Sequence, residues 1–316
     1  MDAVISYIIS FLLNGQKQYA ELIGYTKNPE EFSRYKIVII PSDFFSKEIY
    51  GTIKSLPTLP LQSINEIPLL FGSPNIEKQG NTIILHADII AGSFFLLSRY
   101  EETISKSRDV HGRFLGKESL PYRGKFLHRP IVDEYGKFLR EKLRSAGVDI
   151  IEPETKIKDI ILTHDLDKLE QYRNIRGFLG GIVRTFLSFN LSGIKQVLKS
   201  FFCGIQYDPL YTFPWLFSLN NKVKNAKTIV FFKASKSKIK EDKPSYNLNS
   251  KDLQQFIQYC KSNNCEIGLH TSYEKGISPI GIKNEKEQLS KSANCLITSN
   301  RHHFLLSKEP QDMNAL

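Results

Sequence analysis

The chain has 316 residues, of which 41% are apolar and 24% charged, so it can build a real core and has room for two domains of roughly 100–200 residues each. Lys and Arg number 43 against 33 Asp and Glu, a formal charge of +10 that suits nucleic acid, an anionic glycan or a membrane surface. The lysines are scattered, with one short concentration at 233–243, and no basic block interleaves with aromatics, which argues against nucleic acid. The four cysteines form no CxxC pair and read as ordinary reduced thiols of a cytoplasmic protein.

The opening MDAVISYIISFLLNG carries an acid where a leader needs a basic region and shows no small-residue cleavage site. Its apolar run ends at Leu13, too soon to span a bilayer, so it is expected to be a helix packed on a core, with no stable membrane insertion. Tyr35–Pro41 has the pattern of a buried strand. Residues 51–80, rich in Pro, Ser and Asn, read as loop with short strands. A strand at 82–85 leads into an amphipathic helix at 88–100, and a second helix runs from about Pro130 to Ala146, with Gly147 as its stop. These elements make an N-terminal α/β domain over 1–150, followed by a linker at 151–157.

From residue 158 the pattern changes. Apolar strands are expected at 159–163, 228–232, 265–269 and 295–298. Between them lie a helical stretch over 170–203, an aromatic, turn-rich segment at 208–217, and helices at 251–262 and 283–293. Continuously apolar strands alternating with helices specify a parallel sheet or barrel covered by helices, with functional groups at the strands' carboxyl ends. Three of these ends carry ionisable groups: His164-Asp165-Leu166-Asp167, His270-Thr271-Ser272-Tyr273 and Asn300-Arg301-His302-His303.

Each end has an ordinary reading as a solvated turn, a capped loop or a basic surface patch, and His86, His111 and His128 read as structural. The three together make one carboxylate and two imidazoles, a ligand set that leaves coordination positions open for water and substrate. Asp165 and Asp167 share one side of an extended chain, so one can bind an ion while the other takes a proton. Arg301 is placed to pair with the carboxylate that does not ligate and to hold it in position.

"LTHDLD", "EIGLHTSY" and "RHHFL" resemble the motifs of the NodB-homology polysaccharide deacetylase superfamily, in particular a bacterial subgroup carrying LTHDVD, GLHPSY and RQHYL. "AGSFFLLSRYEE", "DVHGRF" and "FLHRPIVDEY" are similar to the domain that precedes the deacetylase barrel in that subgroup, so the resemblance spans nearly the whole chain. It implies a distorted (β/α) barrel over 158–316 that hydrolyses N-acetyl groups of a saccharide with a divalent ion, zinc first and cobalt, nickel, manganese or magnesium as alternatives. Carried over by position, Asp165 is the catalytic base and Arg301 its neighbour. Asp167 and His270 are metal ligands, and His303 matches the subgroup's histidine and supplies the second imidazole. The superfamily's usual second histidine falls on Glu274, and His302 stands for a glutamine, so either residue is a candidate to join the site. The alternating pattern stops near residue 306, where the superfamily continues with further strand–helix units, so the resemblance implies an incomplete barrel. Two other readings are a non-catalytic remnant or glycan-binding module, and a glycosyltransferase with Asp165-Leu166-Asp167 as its metal–nucleotide motif, which leaves the histidines without a role.

Overall fold

The computed structural model describes residues 2–154 and 156–306, and the chain divides into two compact units between residues 155 and 156. Residue 155 of the expected linker and the tail 307–316 lie outside the described residues.

The N-terminal unit is mixed α/β. It runs through α1 (Asp2–Leu12), β1 (Ile23–Tyr25), β2 (Ile37–Ile39), β3 (Gln62–Ile64), β4 (Ile67–Leu69), β5 (Gly72–Gln79) and β6 (Thr82–Ala87). The helices α2 (Ile89–Leu97), α3 (Tyr100–Ile104), α4 (Leu120–Arg123) and α5 (Ile131–Ser145) follow. One sheet has the order β1-β2-β6-β5, parallel except for β5, which pairs antiparallel to β6. The expected loop at 51–80 therefore contains a full edge strand. Its residues, GSPNIEKQ, are almost all exposed, so no apolar alternation marks them. β3 and β4 form a hairpin turned by Asn65 and Glu66, both at positive φ. The helix expected at 88–100 is two helices: Arg99 takes a left-handed conformation (φ 52°) and its guanidinium bonds Glu102 at 2.7 Å, ending α2 and restarting the chain as α3. The core gathers α1, α2, α5 and the inner strands around Leu13, Ile37, Leu85, Phe95, Tyr135 and Phe138.

The C-terminal unit contains β7 (Ile160–Leu166), α6 (Ile175–Leu187), α7 (Leu191–Cys203), α8 (Phe213–Asn220), β8 (Ala226–Phe232), α9 (Lys251–Ser262), β9 (Glu266–Thr271), α10 (Pro279–Ala293) and β10 (Asn300–His302). Its strands form a curled half-barrel of parallel strands in the order β10-β9-β8-β7. Each strand lies beside its successor in sequence, and right-handed crossovers then place the connecting helices on one face. That face carries Leu166, Val230, Phe232, Ile267 and Leu269, which pack into a core with Phe256, Ile257, Cys260 and Leu289 of α9 and α10.

Two boundaries differ from the sequence reading in ways that matter for the site. β7 does not end at residue 163 but continues in register with β8 through Asp165 and Leu166. The fourth strand is not 295–298. Ile297 there is buried in the core, while Thr298 and Ser299 bond the Glu266 carboxylate, and pairing with β9 begins at Asn300. Within that short run only Ile297 is buried, while Leu296 is exposed, so the apolar pattern marked neither a ladder nor a continuous buried face. The helical stretch 170–203 is a hairpin of two helices, parted by Phe189 at positive φ and restarted by Asn190, whose side chain accepts from the Gly193 N–H at 2.8 Å.

Candidate metal centre

Strand pleat sorts the ionisable residues. Asp165 stands opposite Phe231 on β8, Phe231 opposite Gly268 on β9, and Arg301 on β10 opposite His270. Counting in twos from these pairs puts Asp165, Phe231, Gly268, His270 and Arg301 on the face away from the helix-side core. Asp167, Lys233 and His303 follow at the strands' carboxyl ends on the same side. Gly268 is required here, because a Cβ would lie 2.5 Å from the Phe231 ring. That ring in turn carries the Arg301 guanidinium, 4.6 Å above its centroid.

The three expected ligands meet. Asp167 Oδ1 lies 3.6 Å from His270 Nε2 and 3.2 Å from His303 Nε2. One ligand atom from each of the three lies within 4.8 Å of the other two, the group that metal-ligand geometry selects among the described residues. Both imidazoles are anchored through their other nitrogen. His270 Nδ1 donates to the Arg301 carbonyl at 2.9 Å, and His303 Nδ1 lies 3.3 Å from Asp242 Oδ1. A carbonyl can only accept, so His270 carries a proton on Nδ1, and Nε2 is the atom that faces the cluster, donating to the Asp167 carboxylate when protonated and offering its lone pair to an ion when not. This backing of each histidine by an oxygen acceptor is the support that metal-ligating histidines commonly have.

Asp165 stands beside the ligand set. Arg301 donates from Nη1 to Asp165 Oδ1 and from Nη2 to Thr163 Oγ1, each at 2.8 Å. The free oxygen, Oδ2, is then 4.0 Å from His270 Nε2. An open cleft of about 480 Å³, lined by Thr163, His164, Asp165, Asp167, Phe213 and Arg301 among others, gives access to both carboxylates. A larger cavity of about 940 Å³ lies between the 234–249 loop and α10, and none of the three ligands lines it.

The electrostatics are those of a site built for positive charge. Hydrogen bonds from His270 and then His303 hold the Asp167 carboxyl far below the usual carboxylate range, against partial burial and with help from Lys233. Burial pushes the Asp242 carboxyl up, but hydrogen bonds from His303, the Tyr273 and Glu274 N–H groups and Ser237 outweigh it and leave its pKa at about 2. Burial likewise lowers His303, yet the two flanking carboxylates, Asp167 and Asp242, raise it to about 9. A cation on Nε2, proton or metal, is what this arrangement favours. A tetrahedral zinc ion needs nitrogen and oxygen donors separated by about 3.3 Å, so the 3.2 and 3.6 Å spacings fit one with little movement. Lys233 works the other way. Its buried ammonium, lowered in pKa by that burial, lies 3.8 Å from Asp167 Oδ1 and donates to the Pro244 carbonyl at 2.8 Å.

Glu274 and His302, the two residues that the resemblance offered as additions to the site, stay outside the ligand group. Glu274 pairs with Lys275 at 2.8 Å and lines the larger cavity. His302 is one residue out of phase with His303 on the pleat, and its Nε2 bonds the Gly276 carbonyl at 2.9 Å. Phe213 is buried in the core and Tyr211 packs against it, whereas Trp215 is exposed on α8. His164, unassigned by sequence, bonds Asn220 at 2.8 Å beside Phe213, and burial lowers its pKa. Asp242 and Lys233 were not anticipated. Both sit in the Lys-rich 233–243 segment, where Asp242, next to Glu241 among exposed-looking cations, gives no hint that it is buried behind a histidine.

Residues 4–147 match the model of a family of unknown function (DUF7033). The match ends inside the N-terminal unit and includes none of the five site residues. No curated protein and no solved structure matches the chain.

Proposed function

We propose that the C-terminal unit is a metal-dependent hydrolase of the polysaccharide deacetylase type, which removes acetyl groups from an N-acetylated saccharide. The observation that carries this reading is the division of labour between two carboxylates one pleat repeat apart. Asp167 faces two anchored imidazoles, while Asp165 is pinned by Arg301 and faces the cleft. The curled parallel sheet, with these groups at its carboxyl ends, is compatible with part of a deacetylase (β/α) barrel. The likeness of LTHDLD, GLHTSY and RHHFL to that family's motifs supplies the reaction class.

A divalent ion held by Asp167, His270 and His303 would supply Lewis acidity and bring the pKa of water down to about 7. The chain's own residues do the rest. Asp165 receives the proton on Oδ2, since Oδ1 is occupied by Arg301, and later returns it to the leaving amine. Arg301, braced on Thr163 and stacked on Phe231, fixes the direction of that carboxylate. Asp242 and the Arg301 carbonyl set the ring orientations of the two histidines. The polar cleft beside them, with Thr163, Thr212 and Lys168 on its walls, suits the hydroxyls of a sugar.

The test is acetate release from N-acetylglucosamine oligomers by zinc-loaded protein and by Asp165→Asn. The wild type should release acetate, and Asp165→Asn should retain the ion but lose about 10²- to 10⁴-fold in rate, the usual contribution of a positioned base. An ion-loaded wild type that releases no acetate from any N-acetylated saccharide would leave a metal-binding module in place of an enzyme.

A further inference from the structure

The α6–α7 hairpin presents apolar residues outward where a soluble helix pair normally turns polar ones. On α6, Ile175, Leu179, Val183 and Phe186 recur at helical spacing and are all exposed. On α7, Leu191, Leu198 and Phe202 do the same. The inner side of the hairpin is already satisfied, with the Phe178 ring packed against Phe201 at a centroid distance of 4.3 Å and Gly181 and Val197 buried. The outer residues are therefore a surplus over what the fold needs. They concentrate at the turn, where Phe186 is 69%, Leu187 72%, Phe189 92% and Leu191 79% exposed. Phe189 also sits at φ 54°, a left-handed conformation that a bulky side chain adopts at a cost.

The charge of this segment is one-sided. Residues 174–207 contain no Asp or Glu, and their four cations, Arg176, Arg184, Lys195 and Lys199, are all exposed. A cleft of about 380 Å³ on α7 is lined by Ser192, Lys195, Gln196, Lys199, Gln206 and Tyr207. Asp208 at its edge is consumed by the Gln171 and Tyr172 N–H groups and the Ser200 hydroxyl. The cleft so offers two ammonium groups and neutral donors beside a single carboxylate, Asp208, whose oxygens are already engaged, and its net charge is positive. A protein partner would be free to choose any charge pattern, whereas an apolar tip flanked only by cations matches the boundary between acyl chains and anionic headgroups.

We propose that the α6–α7 hairpin docks the protein on the surface of a membrane containing anionic phospholipid, with Phe186, Leu187, Phe189 and Leu191 entering the acyl boundary and the Lys195–Lys199 cleft taking a headgroup phosphate. The docking is peripheral: no helix among the described residues is long and apolar enough to cross a membrane. It draws on the hairpin alone and stands whether or not the metal centre hydrolyses anything.

Flotation of the full chain with phosphatidylcholine vesicles, with and without phosphatidylglycerol, tests it. The protein should float with the phosphatidylglycerol vesicles, stay behind with pure phosphatidylcholine, and be released by high salt. Lys195→Gln with Lys199→Gln should weaken binding roughly thirtyfold, at about 1 kcal/mol for each cation lost. Phe186→Ser with Phe189→Ser, at exposed positions that leave the fold intact, should abolish it. Equal binding to both vesicle types, no binding to either, or binding indifferent to the tip substitutions would overturn the proposal. So would a dimer that the tip substitutions split while no vesicle is bound, since the face would then be a self-association surface.

Discussion

Two carboxylates at the carboxyl ends of parallel strands, one in each unit, have opposite surroundings. Asp88 follows β6 and is fully buried. It accepts from the Ser42 N–H and hydroxyl, the Tyr25 hydroxyl and the Ala91 N–H, so it caps α2 and ties three segments together. Every partner is a neutral donor from its own unit, and nothing is left to offer. Asp167 follows β7, has a side chain 58% exposed, and faces two imidazoles and an ammonium. Position at a strand end is thus no sign of function in itself. The distinguishing property is whether the local chain has already used the carboxylate's lone pairs.

Substitution breaks that comparison most sharply. Asp88→Ala removes a helix cap and strands several buried donors, and should cost about 3 kcal/mol or more in denaturant unfolding. Bound metal per folded chain should stay the same. Asp167→Ala should change the stability of metal-free protein by no more than about 1 kcal/mol, as for a half-exposed ion pair, and eliminate metal retention. A matching loss of stability in both variants would erase the distinction. Next in size is Asp242→Asn. It leaves the three ligands in place but removes the carboxylate behind His303, and isothermal titration with zinc should give affinity about 10- to 100-fold weaker.

pH sharpens the same contrast. His303 is raised from an ordinary 6.5 to about 9, so folded metal-free protein holds a proton there that the unfolded chain releases. Its contribution to stability is complete below pH 6.5 and disappears as pH rises through about 9. The lowered carboxylates, Asp167 and Asp242, titrate well below this window. Melting temperatures in a chelator should therefore fall across that interval. The increment added by zinc should grow over the same range, because the ion no longer competes with the proton. Smallest of all, His302→Gln should leave metal stoichiometry unchanged, since that ring bonds the Gly276 carbonyl and faces away from the ligands.

Much of this was legible in the sequence, for physical reasons. Buried parallel strands are continuous apolar runs, so TIVFF and CEIGL announced β8 and β9, and strand ends are where a parallel sheet exposes side chains. What was hidden depends on chain partners distant in sequence. The Lys233 ammonium beside Asp167 and the Gly268–Phe231–Arg301 stack follow from register between strands, and the Asp242 carboxylate behind His303 from the path of the loop after β8, neither of which spacing along one strand encodes. Residues 295–298 misled because so short an apolar run, with Ile297 buried and Leu296 exposed, does not say whether the chain pairs in a ladder. The outward Leu and Phe residues of α6 and α7 follow a correct helical period, and periodicity alone does not say whether the apolar face meets a core or solvent.

The central claim is that Asp167, His270 and His303 form one metal centre. Elemental analysis after zinc loading and exhaustive dialysis, on folded wild-type protein and on His270→Ala, tests it most directly. The account predicts one ion per wild-type chain and none retained by the variant. A wild type that keeps no stoichiometric metal, or a variant that keeps as much as the wild type, would contradict it.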